Sequence, residues 1–134
     1  MQVKEFCFVV FKMVLVVFVQ RISGQTYPPV VLIHGYGNDS SSMNLVEKWI
    51  QGSLPGIYVK NLEIGDGWFD SIFMSLDEQV NLVCSQLSAD KNLTNTKINI
   101  IGYDQGALIA RAYIQRCNNP PVYNFISWSG PHGG

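Results

Sequence analysis

Apolar and polar positions past residue 28 alternate between strand-like runs and helical spacing. Val30-Val31-Leu32-Ile33-His34, entered through Pro28-Pro29, is the kind of run a strand buried on both faces requires. Gly35-Tyr36-Gly37-Asn38-Asp39 must turn. Met43, Val46, Trp49 and Ile50 then recur at helical spacing and predict an amphipathic helix ending before Gly52. After the turn at Pro55-Gly56, Ile57-Tyr58-Val59 opens a second strand towards Glu63 and Ile64, which Gly65-Asp66-Gly67 breaks. Ser75-Leu76-Asp77-Glu78 has the spacing of a capping box, and Val80, Val83, Cys84 and Leu87 share one face of the helix behind it. Lys97–Ile101 is the third predicted strand, Ala107–Cys117 the third helix, and Val122–Trp128 the fourth strand after Pro120-Pro121. Strands alternating with helices through short connections predict a parallel sheet of about four strands, flanked by helices on both faces.

The third strand runs into Gly102-Tyr103-Asp104-Gln105-Gly106, and a helix leaves it. That is the pattern of a nucleophile elbow, the sharp strand-to-helix turn of the α/β-hydrolases. Its glycines are expected where a Cβ would collide, and its middle residue is expected in a strained conformation with the side chain raised above the sheet. The middle residue is commonly Ser; here it is Asp104. In a parallel sheet this turn and the loop after the first strand share the carboxyl edge, where ligands bind. The backbone N–H groups of Tyr36 and Gln105 are the expected oxyanion donors. His34 is read as fixing its turn, because the base of such chemistry follows the elbow. His132 does follow it, but lies too close behind the fourth strand for the usual late triad His.

Composition narrows the setting. The 134 residues make one domain at most, and a net charge of −1 without a basic block excludes a nucleic-acid footprint. Lys4, the apolar runs Phe6–Phe11 and Met13–Val19, and Ile22-Ser23-Gly24 read as a cleaved secretory signal over residues 1–24, with a mature segment over 25–134. Lys12 interrupts the apolar stretch, so the alternative, a retained anchor, lacks the roughly 20 unbroken apolar residues of a span. Cleavage would remove Cys7 and leave Cys84 and Cys117, an even pair that suggests one disulfide in an oxidising compartment, two buried thiols being the alternative. Asn38-Asp39-Ser40 and Asn92-Leu93-Thr94 are glycosylation sequons consistent with export. No metal and no cofactor enters the reading.

The chain from Pro29 to Gly134 resembles the palmitoyl-protein thioesterases, lysosomal α/β-hydrolases that remove fatty acyl groups from protein cysteines. The resemblance rests on Pro29-Val30-Val31-Leu32-Ile33-His34-Gly35, Pro55-Gly56-Ile57-Tyr58-Val59, Leu62-Glu63-Ile64-Gly65, Gln79-Val80 with Val83-Cys84, Gln115-Arg116-Cys117 and Asn124-Phe125-Ile126-Ser127, in that order. It implies a disulfide between Cys84 and Cys117, oxyanion roles for the amides of Tyr36 and Gln105, a fatty-acylated protein or acyl thioester as substrate, and a lysosomal or extracellular location. The departure from the family is Asp104, where its elbow carries the nucleophilic Ser. The acid and late His of its triad have no counterpart in these residues, so the chain reads as a truncated α/β-hydrolase, the front half of a domain.

A carboxylate attacking a thioester would give a mixed anhydride rather than a readily hydrolysed ester, and its charge would compete with the transition state for the oxyanion donors. Impaired catalysis is therefore expected. The alternatives are a fragment of an active relative, an Asp-nucleophile hydrolase, and a non-catalytic module that binds an acyl chain or a protein. A blander role for Asp104 is a carboxylate held by the N-terminus of the following helix. Trp49, Trp68, Phe69, Phe73 and Trp128 are expected mostly in the core, with Trp68-Phe69 close enough to the ligand face to touch an acyl chain. Four strands would leave an apolar edge near Phe125–Trp128, a route to self-association.

Overall fold

The computed structural model describes residues 27–133; the signal expected over residues 1–24, with Cys7, lies outside them. The first strand, β1, is Val30–Ile33. A 3-10 turn at Ser40–Met43 leads into α1, Asn44–Ser53. Then come β2, Val59–Leu62, the short helix α2, Trp68–Phe73, and α3, Leu76–Ala89. A second 3-10 turn, Lys91–Leu93, precedes β3, Ile98–Tyr103; α4, Gln105–Arg116, and β4, Val122–Trp128, follow. The strands form one sheet in the order β2-β1-β3-β4, and every pairing is parallel.

Each face of the sheet has its own core, which is why β1 is apolar at every position. Val31 and Ile33 pack with Val80, Val83 and Leu87 of α3 and with Ile109, Ala110 and Tyr113 of α4. Val30 and Leu32 point the other way, to Met43 and Val59, with Val46 and Ile50 of α1 packed against them. Each Val, Leu, Ile or Met side chain withdrawn from water here contributes about 1.5–3 kcal/mol. The predicted capping box opens α3: Ser75 Oγ accepts from the Glu78 N–H at 3.3 Å, and Glu78 Oε2 accepts from the Ser75 N–H at 3.2 Å. Cys84 and Cys117 are joined by a disulfide, which ties α3 to the C-cap of α4.

Several expectations change. The second strand begins at Val59 rather than Ile57, and the third runs on to Tyr103. The last helix starts at Gln105 rather than Ala107, because Asp104 is itself its N-cap residue. α1 continues through Gly52 to Ser53, since an exposed glycine costs a helix end too little to stop it. Gly65 and Gly67 do break the strand with positive φ, yet the chain resumes as α2, where no helix was expected. The aromatic residues expected in the core are exposed: Trp49 by 62%, Trp68 by 55%, Phe69 by 49%, Phe73 by 67% and Trp128 by 47%. On α1 the inward positions belong to Val46 and Ile50, which leaves Trp49 on the outer side. Among the described residues β4 pairs only with β3, and Tyr123 and Ile126 are exposed on it. No helix of the described residues is long and apolar enough to cross a membrane.

Candidate active site

The sheet register sets the site. Ile33 is opposite Gly102, so the loop after β1 and the turn after β3 leave the sheet side by side at its carboxyl edge. The two glycines of the turn are required by space. A Cβ on Gly102 would lie 2.5 Å from the Gly106 carbonyl oxygen and from Ala107 Cα; one on Gly106 would lie 2.5 Å from the His34 carbonyl oxygen. Helix, strand and loop are in backbone contact here, which only glycine permits.

Between them stands Asp104, at φ 51° and ψ −121°. A side chain at such a φ stores about 1–3 kcal/mol of strain, which the surrounding bonds must hold. Its N–H donates to the Trp128 carbonyl at 2.8 Å, and its carbonyl accepts from the Ala107 N–H at 3.0 Å. Its side chain does not cap α4. The carboxylate instead crosses to the β1 loop, where Oδ2 accepts the Tyr36 N–H at 3.0 Å. Gly35 makes room for it, since a Cβ there would come within 2.9 Å of Asp104 Cβ. The structure thus brings Tyr36, Asp104 and Gln105 together, and one of the two expected oxyanion donors is engaged by the chain's own carboxylate. The carboxylate makes no cap bond to α4 and takes the loop amide instead, a bond that a charged acceptor strengthens.

Gln105 has a second job. Its Nε2 donates to the Ser71 carbonyl at 2.9 Å and to Gln79 Oε1 at 3.1 Å. Gln79, fully buried, donates in turn to the carbonyls of Met74 at 2.9 Å and Asp70 at 3.2 Å. This amide chain ties α2 to the elbow. The rings of Trp68, Phe69 and Phe73 follow one another along α2, with centroids 6.1 Å and 4.6 Å apart in succession.

His34 is buried, with Nδ1 3.2 Å from the Gly35 carbonyl and Nε2 3.2 Å from Glu63 Oε1. The second approach lacks hydrogen-bond alignment. Glu63 Oε2 accepts from Ser40 N at 2.9 Å and from Ser40 Oγ at 2.6 Å, pinning the far end of the loop. The hydroxyl of Ser41 holds the Asp39 carboxyl below its ordinary range. His132 does not reach Asp104; its Nε2 lies 2.7 Å from Ser127 Oγ. Of the sequon residues, Asn38 donates through Nδ2 to the Tyr36 carbonyl at 3.1 Å, and Asn92 is exposed in the turn Lys91–Leu93. Sequence reasoning missed the roles of Glu63, Gln79 and Ser127. The one available signal was polarity at the ends of apolar segments, which does not name a partner. Among the described residues no group of three His, Cys, Asp or Glu side chains is arranged to hold a metal ion.

The family model described as palmitoyl protein thioesterase matches residues 29–134. Palmitoyl-protein thioesterase 3 of Dictyostelium discoideum is 53% identical over 106 residues, covering 79% of this chain and 36% of that protein. Palmitoyl-protein thioesterase 1 of Caenorhabditis elegans is 37% identical over 113 residues, covering 79% and 38%. Lysosomal thioesterase PPT2 of Homo sapiens is 29% identical, covering 81% and 35%. The chain thus spans little more than a third of the length of these relatives. Among solved structures, polyneuridine aldehyde esterase superposes with a TM-score of 0.62 at 11% identity, over 79% of this chain and 41% of that one. MenH from S. aureus does so with 0.59 at 21% identity, over 84% and 41%. At these identities the likeness is one of fold, that of the α/β-hydrolases.

Proposed function

The chain belongs to the palmitoyl protein thioesterase family, and on that premise we propose that the carboxyl edge of its sheet carries an acyl-thioester site that Asp104 prevents from transferring acyl groups. The observation that carries this reading is the 3.0 Å bond from the Tyr36 N–H to the Asp104 carboxylate. An oxyanion hole works because its donors are free until charge develops on the substrate oxygen. Here one donor already holds an anion, and a neutral carbonyl oxygen would have to displace it. Losing a single such donor costs about 3 kcal/mol of transition-state stabilisation. Asp104 also has no hydroxyl to lose, so no ester intermediate of the serine type can form on it.

By family, the substrate is a long-chain acyl thioester on a protein cysteine, and the compartment is the secretory pathway or lysosome, as the name of the human relative suggests for that protein. On this reading residues 1–24 are a cleaved signal, Asn38 and Asn92 carry glycans, and the edge of β4, unpaired among the described residues, allows self-association. A second reading, acyl-chain binding without turnover, is favoured by the exposed aromatic row of α2, which Gln105 tethers to the elbow through Ser71.

The test is hydrolysis of a palmitoyl-cysteine thioester by the purified chain. No turnover through residue 104 is expected. Asp104→Ser in these 134 residues should not create it, because His34 is turned to Glu63 and His132 to Ser127, and neither ring is hydrogen-bonded to residue 104. Hydrolysis that disappears in Asp104→Ala would refute the proposal.

A further inference from the structure

We propose that Ser127 and His132 form a second nucleophile–base pair, separate from residue 104, that accepts acyl or phosphonyl groups from activated donors. Ser127 Oγ and His132 Nε2 are 2.7 Å apart, within the range of a nucleophile and its general base, and both residues are exposed. The backbone is shaped for this contact. Ser129 takes φ 56°, and the His132 N–H donates to the Gly130 carbonyl at 2.9 Å, folding the imidazole back over β4. Gly130 must lack a side chain, since a Cβ there would lie 2.8 Å from His132 Nε2 and 2.6 Å from Ala107 Cβ, and would overlap Ser127 Oγ. Phe125 braces the ring edge-on, centroid to centroid 6.2 Å. Ser127 pairs with Gly102, which puts the hydroxyl at the carboxyl edge of the sheet, next to the first turn of α4.

In the imidazole tautomer that carries its proton on Nδ1, Nε2 accepts from the Ser127 hydroxyl. Attack forms a bond from Ser127 Oγ to the acyl carbon and moves the hydroxyl proton to Nε2. The acyl–sulfur bond of a thioester donor then breaks, and the departing thiolate takes that proton. Water, deprotonated by the same nitrogen, releases the acid and restores the hydroxyl. With an alkyl fluorophosphonate the oxygen–phosphorus bond forms, fluoride leaves, the proton passes to solvent, and the adduct remains. A hydrogen bond that merely fixes the turn would give none of this chemistry.

The experiment treats the whole chain with an alkyl fluorophosphonate, reduces the disulfide and maps tryptic peptides. Ser127 lies on Cys117–Gly134 and residue 104 on Ile98–Arg111, so the two sites are read separately. An adduct on Ser127 is expected, absent in Ser127→Ala, retained in Ser129→Ala, and formed about 100-fold more slowly in His132→Gln. No adduct on Cys117–Gly134, an adduct on Ser129, or a labelling rate indifferent to His132→Gln would each overturn the pair. Should Ser127→Ala fail to fold, the other two variants still decide. Thioester turnover lost in Asp104→Ala would instead strike the reading of residue 104 and leave Ser127 untouched.

Discussion

Gly106→Ala puts one methyl group where two backbone carbonyls already stand. The new Cβ would overlap the Ile33 carbonyl oxygen and lie 2.5 Å from that of His34 and 2.8 Å from Ile33 C. A flexible side chain could swing away from such a contact; the end of a central strand cannot. Either α4 backs off the sheet or the end of β1 moves. Overpacking of this kind costs about 1–3 kcal/mol, and a backbone obstacle belongs at the upper end. The displaced segment leads directly into Tyr36, so its 3.0 Å bond to Asp104 should lengthen or break as well. Gly52→Ala is the control. Gly52 is helical with nothing within 4 Å of a new Cβ, and there the same methyl should stabilise the chain by about 0.5 kcal/mol. Urea denaturation reads both changes as midpoint shifts at constant slope. The amide resonance of Tyr36 reports on the site, and it should move in Gly106→Ala but not in Gly52→Ala. Equal stabilities for the two variants, or an unmoved Tyr36 resonance in a destabilised Gly106→Ala, would refute the close packing assigned to this turn.

Burial pushes the Tyr113 hydroxyl up to about 12, against about 10 in an unfolded chain, so the folded protein keeps a proton that the unfolded one loses. Stability should therefore hold below pH 10 and fall by roughly 2–3 kcal/mol towards pH 12; an identical alkaline decline in Tyr113→Phe, measured by urea titration, would contradict this. The disulfide closes a sequence separation of 33 residues, and its reduction should cost about 3–4 kcal/mol. Matching urea midpoints with and without reductant would rule that out.

Legibility in the sequence followed the range of the interaction. β1 and α3 could be recognised because a strand buried on both faces must be apolar throughout, and because the Ser75–Glu78 pair closes within one helical turn. α2 could not. It is six residues long, directly behind a glycine break, and its aromatic residues imitate a core segment. What holds it is the Gln105 bond to Ser71, 34 positions away. The elbow was readable for the reason β1 was: Gly102 and Gly106 answer a steric demand that leaves no other residue. Glu63, Gln79 and Ser127 act through partners that periodicity does not identify.

The order of residues by itself determined an alternating β and α chain, which implies a parallel sheet, and a tight turn with a carboxylate at its tip, since the alternation and the turn depend on neighbours only a few positions apart. Tertiary structure decided where that carboxylate points. Tyr36 and Asp104 are 68 positions apart and meet only because β1 and β3 pair with Ile33 opposite Gly102. The same kind of register, between β3 and β4, sets Ser127 beside the elbow, where Gly130 lets His132 fold back onto it. Strand register is a cooperative property of the packed sheet, and no local pattern in either segment contains it.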